Sequence, residues 1–174
     1  MDRSKRLAEL NRQISRCKKC PLHKTRKNGV PGEGPVNARF FFIGQAPGRE
    51  EDRTGRPFVG RAGKLLDELL KEAGLKREKV FITSCLKSFP PDNRKPKKSE
   101  IDACLNYTIR QIEIVNPEVI VLLGKVAQDA FLNEPSFKER VMLYTYHPAA
   151  ALRFPKYKKA LLNYFSKTIK EAAK

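Results

Sequence analysis

The sequence lacks any apolar run long enough to cross a bilayer, although 40% of its 174 residues are hydrophobic. It also lacks an apolar leader, because residues 1–16 carry charge throughout. These absences argue against membrane insertion and secretion, so we expect a cytoplasmic chain with no membrane partner. Internal repeats and low-complexity segments are absent too. The length predicts one domain over residues 1–174, with an N-terminal arm at 1–38.

Two nucleotide-binding signatures are also missing. The polar loop that follows the first apolar run has glycines at GxxxxG-type spacing. That loop does not end in Gly-Lys-Ser/Thr, and it contains no G-x-G-x-x-G. A nucleotide-dependent enzyme is therefore disfavoured.

Acidic residues are scarce relative to basic ones. The chain has 19 Asp and Glu against 36 Lys and Arg, which gives a formal charge of +17. Nucleic acid is the partner that best explains such an excess, because neutralised phosphates release their counterions on binding. A generally lysine-rich surface, as in some heat-adapted proteins, is the alternative.

Cysteine is limited to four residues: Cys17, Cys20, Cys85 and Cys104. In an intracellular protein a disulfide framework is not expected, and Cys-x-x-Cys with two further cysteines indicates a metal or iron–sulfur site. Four thiolates suit tetrahedral zinc or a four-iron cluster, and composition does not choose between them. One redox pair plus two buried cysteines is the alternative.

Apolar runs and helical patterns alternate along the chain. This alternation predicts an α/β fold, a three-layer α/β/α sandwich with a central four-stranded parallel sheet. Gly74 and Ser99 are candidate helix caps, and residues 21–38 read as a loop. The predicted strands are 39–44, 79–84, 118–123 and 140–145, and the predicted helices are 2–16, 62–72, 99–114, 125–132 and 156–173.

Chemistry-bearing residues follow the predicted strands, whose carboxyl ends share one edge of the sheet. His147, one of only two histidines, comes directly after a strand, and a satisfied structural histidine is the alternative reading. The acidic run 50–52 follows the first strand, although such a run is usually a solvated turn. Phe58, in the same polar loop, is either a loop anchor or a stacking platform for a base.

Four blocks of the sequence resemble the family 4 uracil-DNA glycosylases, the iron–sulfur branch of the uracil-DNA glycosylase superfamily. The blocks are CKKCPLHKTR (17–26), GQAPGREEDRTGRPFVGRAGKLL (44–66), PPDNRKP (90–96) with Cys104 after it, and HPAAALRFP (147–155). They occur in order and span almost the whole chain. The resemblance implies base excision: a deoxyuridine is flipped out of DNA, and its N-glycosidic bond is hydrolysed to leave an abasic site.

The resemblance also implies roles for individual residues of the pocket. Phe58 would stack on the flipped base, and Glu51 would lie near C5 and obstruct a thymine methyl group. His147 would donate to O2 of the base and stabilise the uracil anion as it leaves. Backbone groups of Gln45 and Ala46 would complete the pocket.

The DNA contacts are expected from two loops. Leu152 and Arg153, after His147, are candidates for the segment that enters the minor groove, with core packing as the alternative for Leu152. Arg94 and Lys95 are candidates for backbone contacts, with a solvated charge run as the alternative. The expected partner is uracil-containing DNA, single- or double-stranded, and the expected state is a monomer.

The chain departs from the family pattern at three positions. Gln45 replaces the usual Glu, and the aspartate that follows Gly-Gln in family 1 is replaced by Ala46, so Gln45 and Glu51 are the candidates for a catalytic role beside His147. Ser84 replaces the Asn that reads the uracil edge. A serine hydroxyl cannot make the two-point amide match.

The third departure is Ser88, which replaces a cluster cysteine. We expect Cys85 to take its place, so that Cys17, Cys20, Cys85 and Cys104 bind a [4Fe–4S] cluster. Two alternatives to uracil removal stay open. One is a glycosylase for another deaminated base, such as hypoxanthine or xanthine, and the other is a non-catalytic iron–sulfur DNA-binding module.

Overall fold

Four parallel strands form the centre of the protein in a computed structural model that describes residues 2–174. The strands are β1 (Phe40–Gly44), β2 (Phe81–Ser84), β3 (Val119–Leu123) and β4 (Val141–Thr145). Their order in the sheet is β2-β1-β3-β4, and every neighbouring pair is parallel. The four strands predicted from the sequence are therefore confirmed, each within two residues of its expected bounds.

Helices connect and flank these strands. Among residues 2–174 no helix combines the length and the apolarity needed to cross a membrane. The helices are α1 (Arg3–Ser15), α2 (Arg49–Thr54), α3 (Arg61–Glu72), α4 (Lys98–Val115), α5 (Lys125–Phe131), α6 (Pro148–Arg153), α7 (Pro155–Tyr164) and α8 (Lys170–Ala172), with a π-helical turn at Phe165–Ile169 between the last two.

Both faces of β1, β2 and β3 are buried, whereas β4, at the edge of the sheet, is mostly exposed or half-buried. On β1, Phe41 and Ile43 point into a core formed with α1, α4 and α5, whereas Phe40 and Phe42 point into a core formed with α3, α7 and the π turn. Burial on both sides explains why β1 and β3 are uninterrupted apolar runs rather than alternating patterns. The three-layer α/β/α prediction is confirmed.

The strand order places a crevice at the carboxyl edge of the sheet. From β1 the chain passes first to β2 on one side and later to β3 on the other side. The connections that leave β1 and β3 therefore diverge, and such a switch point is where open α/β sheets bind ligands.

One of the two predicted helix caps is confirmed. After α3, Gly74 adopts φ +73°, its N–H donates to the Lys71 carbonyl (3.0 Å), and the Leu75 N–H donates to the Leu70 carbonyl (2.8 Å). This is the Schellman pattern. The Ser99 cap is wrong, because α4 begins one residue earlier and the Glu100 carboxylate accepts the Lys97 N–H (2.9 Å).

Two short helices lie where the sequence predicts polar loops. They are α2 and α6, each of six residues. Less than two helical turns is too short to show a hydrophobic period, so no sequence signal announces them. The predicted C-terminal helix is also divided, because the π turn at Phe165–Ile169 interrupts it.

A buried polar network ties the N-terminal arm to the sheet. The Lys87 ammonium is 1% exposed, and it donates to Thr83 Oγ1 (2.5 Å) and Gln111 Oε1 (3.0 Å). The Gln111 amide in turn donates to the Pro31 carbonyl (2.8 Å) and to Asn11 Oδ1 (3.1 Å). Burial lowers the pKa of Lys87 to about 8.

We predict that Gln111→Leu destabilises the protein by about 2–4 kcal/mol, because it leaves the Lys87 ammonium short of an acceptor and strips Pro31 of a donor inside the core. The urea midpoint measures this loss. Gln13→Leu is the matched control, since the Gln13 side chain is exposed and makes only two long hydrogen bonds, one donated to Glu9 Oε1 (3.4 Å) and one accepted from Arg110 (3.3 Å). Equal midpoints for the two variants would show that the network does not hold the arm.

Candidate active site

A cavity of about 620 Å³ opens at the carboxyl edge of the sheet. Its walls come from the loop after β1, the end of β2, the segment before α4, and the start of α6. The structure thus brings together most of the site residues expected from the sequence. Those that line the cavity are Gln45, Ala46, Glu51, Phe58, Ser84, Arg94, Lys95, His147 and Arg153.

His147 caps α6 with its own side chain. The Ala149 N–H donates to Nδ1 of His147 at 3.0 Å, and Pro148 occupies the first helical position, where no N–H is needed. Because Nδ1 accepts, the proton of the neutral ring is on Nε2. Burial lowers the pKa of His147 to about 4, against a smaller opposing effect of the Glu51 charge, so the ring is neutral at pH 7.

Two glycines at strand ends leave room for this ring. Gly124, at the end of β3, has φ +89°, and a Cβ there would lie 2.9 Å from Cβ of His147. A Cβ on Gly44, at the end of β1, would lie 3.2 Å from Nε2. Nε2 of His147 therefore faces the end of β1, on the floor of the cavity.

Phe58 packs beside His147 in a strained backbone conformation. The ring centroids are 5.6 Å apart at 25°, and the φ of Phe58 is +48°, which is rare for a bulky residue. Gly63 permits this conformation, because a Cβ there would lie 1.9 Å from the Phe58 carbonyl oxygen. Arg77 donates to the same carbonyl (2.8 Å). Strain held in this way is typical of functional sites.

The carboxylate of Glu51 holds the loop that carries Phe58. Oε1 accepts the N–H groups of Val59 and Gly60 (2.9 Å each), and Oε2 accepts the Gly48 N–H (3.0 Å). Glu51 thereby links the starts of α2 and α3, two helices that run into the cavity wall.

The acidic run around Glu51 is not a solvated turn. Glu51 is half-buried and Asp52 is buried, and the Asp52 carboxylate accepts the N–H groups of Lys27 (2.8 Å) and Asn28 (3.2 Å). Of residues 50–52, only Glu50 agrees with a solvated turn, because its carboxylate forms an exposed ion pair with Arg53.

Basic side chains surround the mouth of the cavity. Arg94 is held by both oxygens of the buried Glu100 carboxylate (2.6 and 3.1 Å), whereas Lys95 is exposed. Arg49 and Arg61 also line the cavity, and the sequence reading did not select them. The sequence shows that both residues lie in or beside the Gly-rich loop. It does not show that α2 and α3 begin at the cavity.

Leu152 lies on α6 rather than in a loop, and it is 40% exposed. Core packing, the alternative reading of this residue, is therefore wrong. Its neighbours differ in their surroundings: Ala151 is buried, whereas Arg153 and Phe154 are exposed and line the cavity.

The two residues that depart from the family pattern near the pocket lie in its wall. Ser84 pairs with Gly44 in the sheet register, so it stands beside the end of β1. The carbonyl of Gln45 accepts the Leu86 N–H (3.1 Å), which fixes the backbone at the entry to the cavity loop.

The four cysteines are free thiols that lie near the carboxyl end of β2. Cys85 and Cys104 are buried, and Cys17 and Cys20 are half-buried. Burial raises the pKa of Cys104, and the charges of Cys20 and Cys17 raise it further. Burial likewise raises the pKa of Cys85 to about 12, with a further contribution from Cys104. Cys104 therefore lies within electrostatic reach of the other three.

These thiols do not converge on one point. Within residues 2–174 no group of three or more His, Cys, Asp or Glu side chains is arranged to hold a single metal ion. Ser88, at the position of a family cysteine, is buried and accepts a hydrogen bond from Arg26 (2.7 Å). Arg26 also donates to the Cys17 carbonyl (2.8 Å), so this position joins the arm to the loop after β2.

Comparison with known proteins agrees with this architecture. The model of the uracil DNA glycosylase superfamily matches residues 31–172. A type-4 uracil-DNA glycosylase of Sulfurisphaera tokodaii is 43% identical over 187 residues, covering 96% of this chain and 84% of the relative. One of Archaeoglobus fulgidus is 42% identical over 180 residues, covering 92% of this chain and 90% of the relative.

A solved structure supports the fold. The solution NMR structure of a proposed uracil DNA glycosylase from Methanosarcina acetivorans matches with a TM-score of 0.55 at 14% identity. The match covers 80% of this chain and 96% of that one. The family model and the two sequence relatives show that the chain belongs to the uracil-DNA glycosylase superfamily, among its type-4 members.

Proposed function

We propose that the protein is a monofunctional DNA glycosylase of base excision repair that hydrolyses the N-glycosidic bond of a flipped-out deoxyuridine. The observation that carries the proposal is the neutral His147 ring, whose Nε2–H faces the cavity floor because its Nδ1 caps α6. The names of the type-4 relatives point to the same reaction.

The cavity suits an extruded nucleotide. A volume of about 620 Å³ admits a base and its sugar, and the Phe58 ring supplies an aromatic wall beside them. Extrusion costs a few kcal/mol of unstacking. Contacts of Arg49, Arg61 and Arg153 with phosphates around the mouth would offset that cost.

His147 acts as a hydrogen-bond donor rather than as an acid. When the C1′–N1 bond breaks, its electron pair stays with the base, and negative charge develops on O2. Because its pKa is about 4, the ring is neutral at pH 7 and carries one proton, on Nε2. The Nε2–H donates a hydrogen bond to that oxygen. Such preorganised donors contribute about 3–4 kcal/mol to lowering the barrier.

Glu51 and Gln45 complete the reaction without a strong base. The Glu51 carboxylate accepts three backbone N–H groups, so it positions the Phe58 loop and the wall that obstructs a thymine methyl group. Gln45, at the cavity entry, orients the water that adds to C1′ of the cationic sugar. That water bonds to C1′ through its oxygen, keeps one proton as the new hydroxyl and loses the other to solvent, while the uracil anion takes up a proton from solvent, which leaves an abasic site and free uracil.

A second substrate class is favoured by one observation. Ser84 lies in the cavity wall where a base edge would be read, and its hydroxyl makes a one-point contact rather than an amide match. Relaxed selectivity, with release of hypoxanthine or xanthine, follows from that contact.

We further propose that Cys17, Cys20, Cys85 and Cys104 hold a [4Fe–4S] cluster. Each iron of such a cluster takes one thiolate, so its four ligands need not converge on a point, in agreement with thiols grouped around Cys104. The buried Lys87 ammonium offsets the negative charge of the thiolates. When bound, the cluster supplies cross-linking between the arm and the loop after β2.

We predict that Cys85→Ser protein loses most of its iron and the visible absorbance of thiolate-bound iron, because one of the four ligands is removed. Iron analysis of the purified protein measures this. Ser88→Ala is the matched control at the family's usual ligand position, and it should keep its iron. Full iron content in Cys85→Ser would remove Cys85 from the ligand set.

We predict that His147→Asn and His147→Ala both lower the single-turnover rate of uracil release about 100- to 1,000-fold, because both lose the donor at Nε2. Only the alanine variant should also lose about 1 kcal/mol of stability, since asparagine still caps α6. Thermal melting separates the two effects. A near-normal rate in His147→Asn would show that capping, not donation, is the function of the ring.

We predict product from uracil, and weaker product from hypoxanthine or xanthine, in oligonucleotides cleaved at abasic sites with alkali. Ser84→Asn should raise the ratio of uracil to purine release about tenfold or more, because the amide restores two-point readout. Release of purines alone would replace the substrate assignment. Tight, salt-dependent binding with no product from any base would identify a non-catalytic DNA-binding module.

A further inference from the structure

Three aromatic rings form an exposed cluster beside the mouth of the cavity. We call it the ring cluster, and it consists of Tyr146, Phe154 and Tyr157. The Tyr146 and Tyr157 centroids are 4.5 Å apart at 44°, and the Phe154 and Tyr157 centroids are 5.7 Å apart at 89°. Tyr157 packs against the core below, so it anchors the other two rings.

Two of these rings are exposed to solvent. Tyr146 is 48% exposed and Phe154 is 52% exposed, although large aromatic side chains are usually covered. Their edges and faces are already oriented by Tyr157, so a planar partner that covers them need not order them first. Exposed, pre-oriented rings of this type are typical of a binding surface.

The ring cluster is continuous with the active site. Tyr146 directly precedes His147 in the chain, and Phe154 lines the same cavity as His147. A strand whose uracil occupies the cavity therefore passes its neighbouring nucleotides over or near these rings.

The charge around the rings matches a nucleic-acid backbone. The Lys156 ammonium lies 4.9 Å from the Tyr157 ring centroid, and Arg153 lies at the cavity mouth. Alternating rings and cations suit a single strand, whose bases stack on aromatic side chains while its phosphates meet the cations. In a duplex the flanking bases stay paired with the opposite strand inside the helix, so they are not free to cover these rings.

We propose that the ring cluster is a stacking platform for unpaired bases that flank the flipped nucleotide, and that it gives the protein a preference for uracil in single-stranded or locally opened DNA. This inference rests on the proposed function, because it uses the cavity as the place of the target nucleotide. It names the form of DNA that the site takes.

The test uses single-stranded oligonucleotides with 2-aminopurine next to a cleavage-resistant 2′-fluoro-deoxyuridine, and the same strand annealed to its complement. Stacking quenches 2-aminopurine. We expect quenching with the single strand, and a dissociation constant about 10- to 100-fold higher in Tyr146→Leu with Phe154→Leu than in the unchanged protein. Duplex affinity should change less than about twofold.

The controls keep the aromatic faces or change a ring elsewhere. Tyr146→Phe with Phe154→Tyr should retain both quenching and affinity. Tyr144→Leu removes an exposed tyrosine of β4 that lies outside the ring cluster, and it should leave single-strand binding unchanged. Melting curves establish that each variant is folded.

Unchanged single-strand affinity in the double leucine variant would overturn the platform, and so would an equal loss on single-stranded and duplex DNA. Absence of quenching in the unchanged protein would overturn it without any variant. Uracil release is measured separately on unmodified strands. Quenching without release would contradict the proposed function and leave the platform standing.

Discussion

The hydrogen bond from the Ala149 N–H to Nδ1 of His147 is the interaction on which the site depends. It begins helix α6, and at the same time it fixes the tautomer of the ring and directs Nε2–H toward the end of β1. A capping bond usually affects stability alone. Here the same bond sets the protonation of the group that faces the reacting base, so local folding and chemistry cannot be separated at this residue.

Around that bond, close packing is possible only because three positions lack a side chain. Gly124 makes room for Cβ of His147, Gly44 for the Phe58 ring and for Nε2 of His147, and Gly63 for the carbonyl of Phe58. The Glu51 carboxylate then holds the Phe58 loop by three N–H groups. The cavity wall is thus a set of backbone positions fixed by hydrogen bonds, which keeps the two rings in place.

Where the N-terminal arm meets β2 and α4, behind the cavity, buried polar groups add hydrogen bonds to the apolar packing. Lys87 and Gln111 connect β2, α4 and the arm, and Arg26 connects Ser88 with the Cys17 carbonyl. These bonds bring the N-terminal thiols beside Cys104. They also explain how a serine is accommodated at a family cysteine position, because its hydroxyl has a guanidinium partner.

The sequence by itself determined the α/β/α architecture, the strand ends that carry Gly44, Ser84 and His147, and the family. Uninterrupted apolar runs and helical periods are local patterns, and long motif blocks are specific, so both can be read without coordinates. Only the tertiary structure decided the short helices α2 and α6, the capping role of His147, the hydrogen bonds by which Glu51 holds the Phe58 loop, and the exposed ring cluster. Each of these depends on which backbone donor or ring lies nearby in space, and residues far apart in the chain, or too few to form a period, leave no pattern in the sequence.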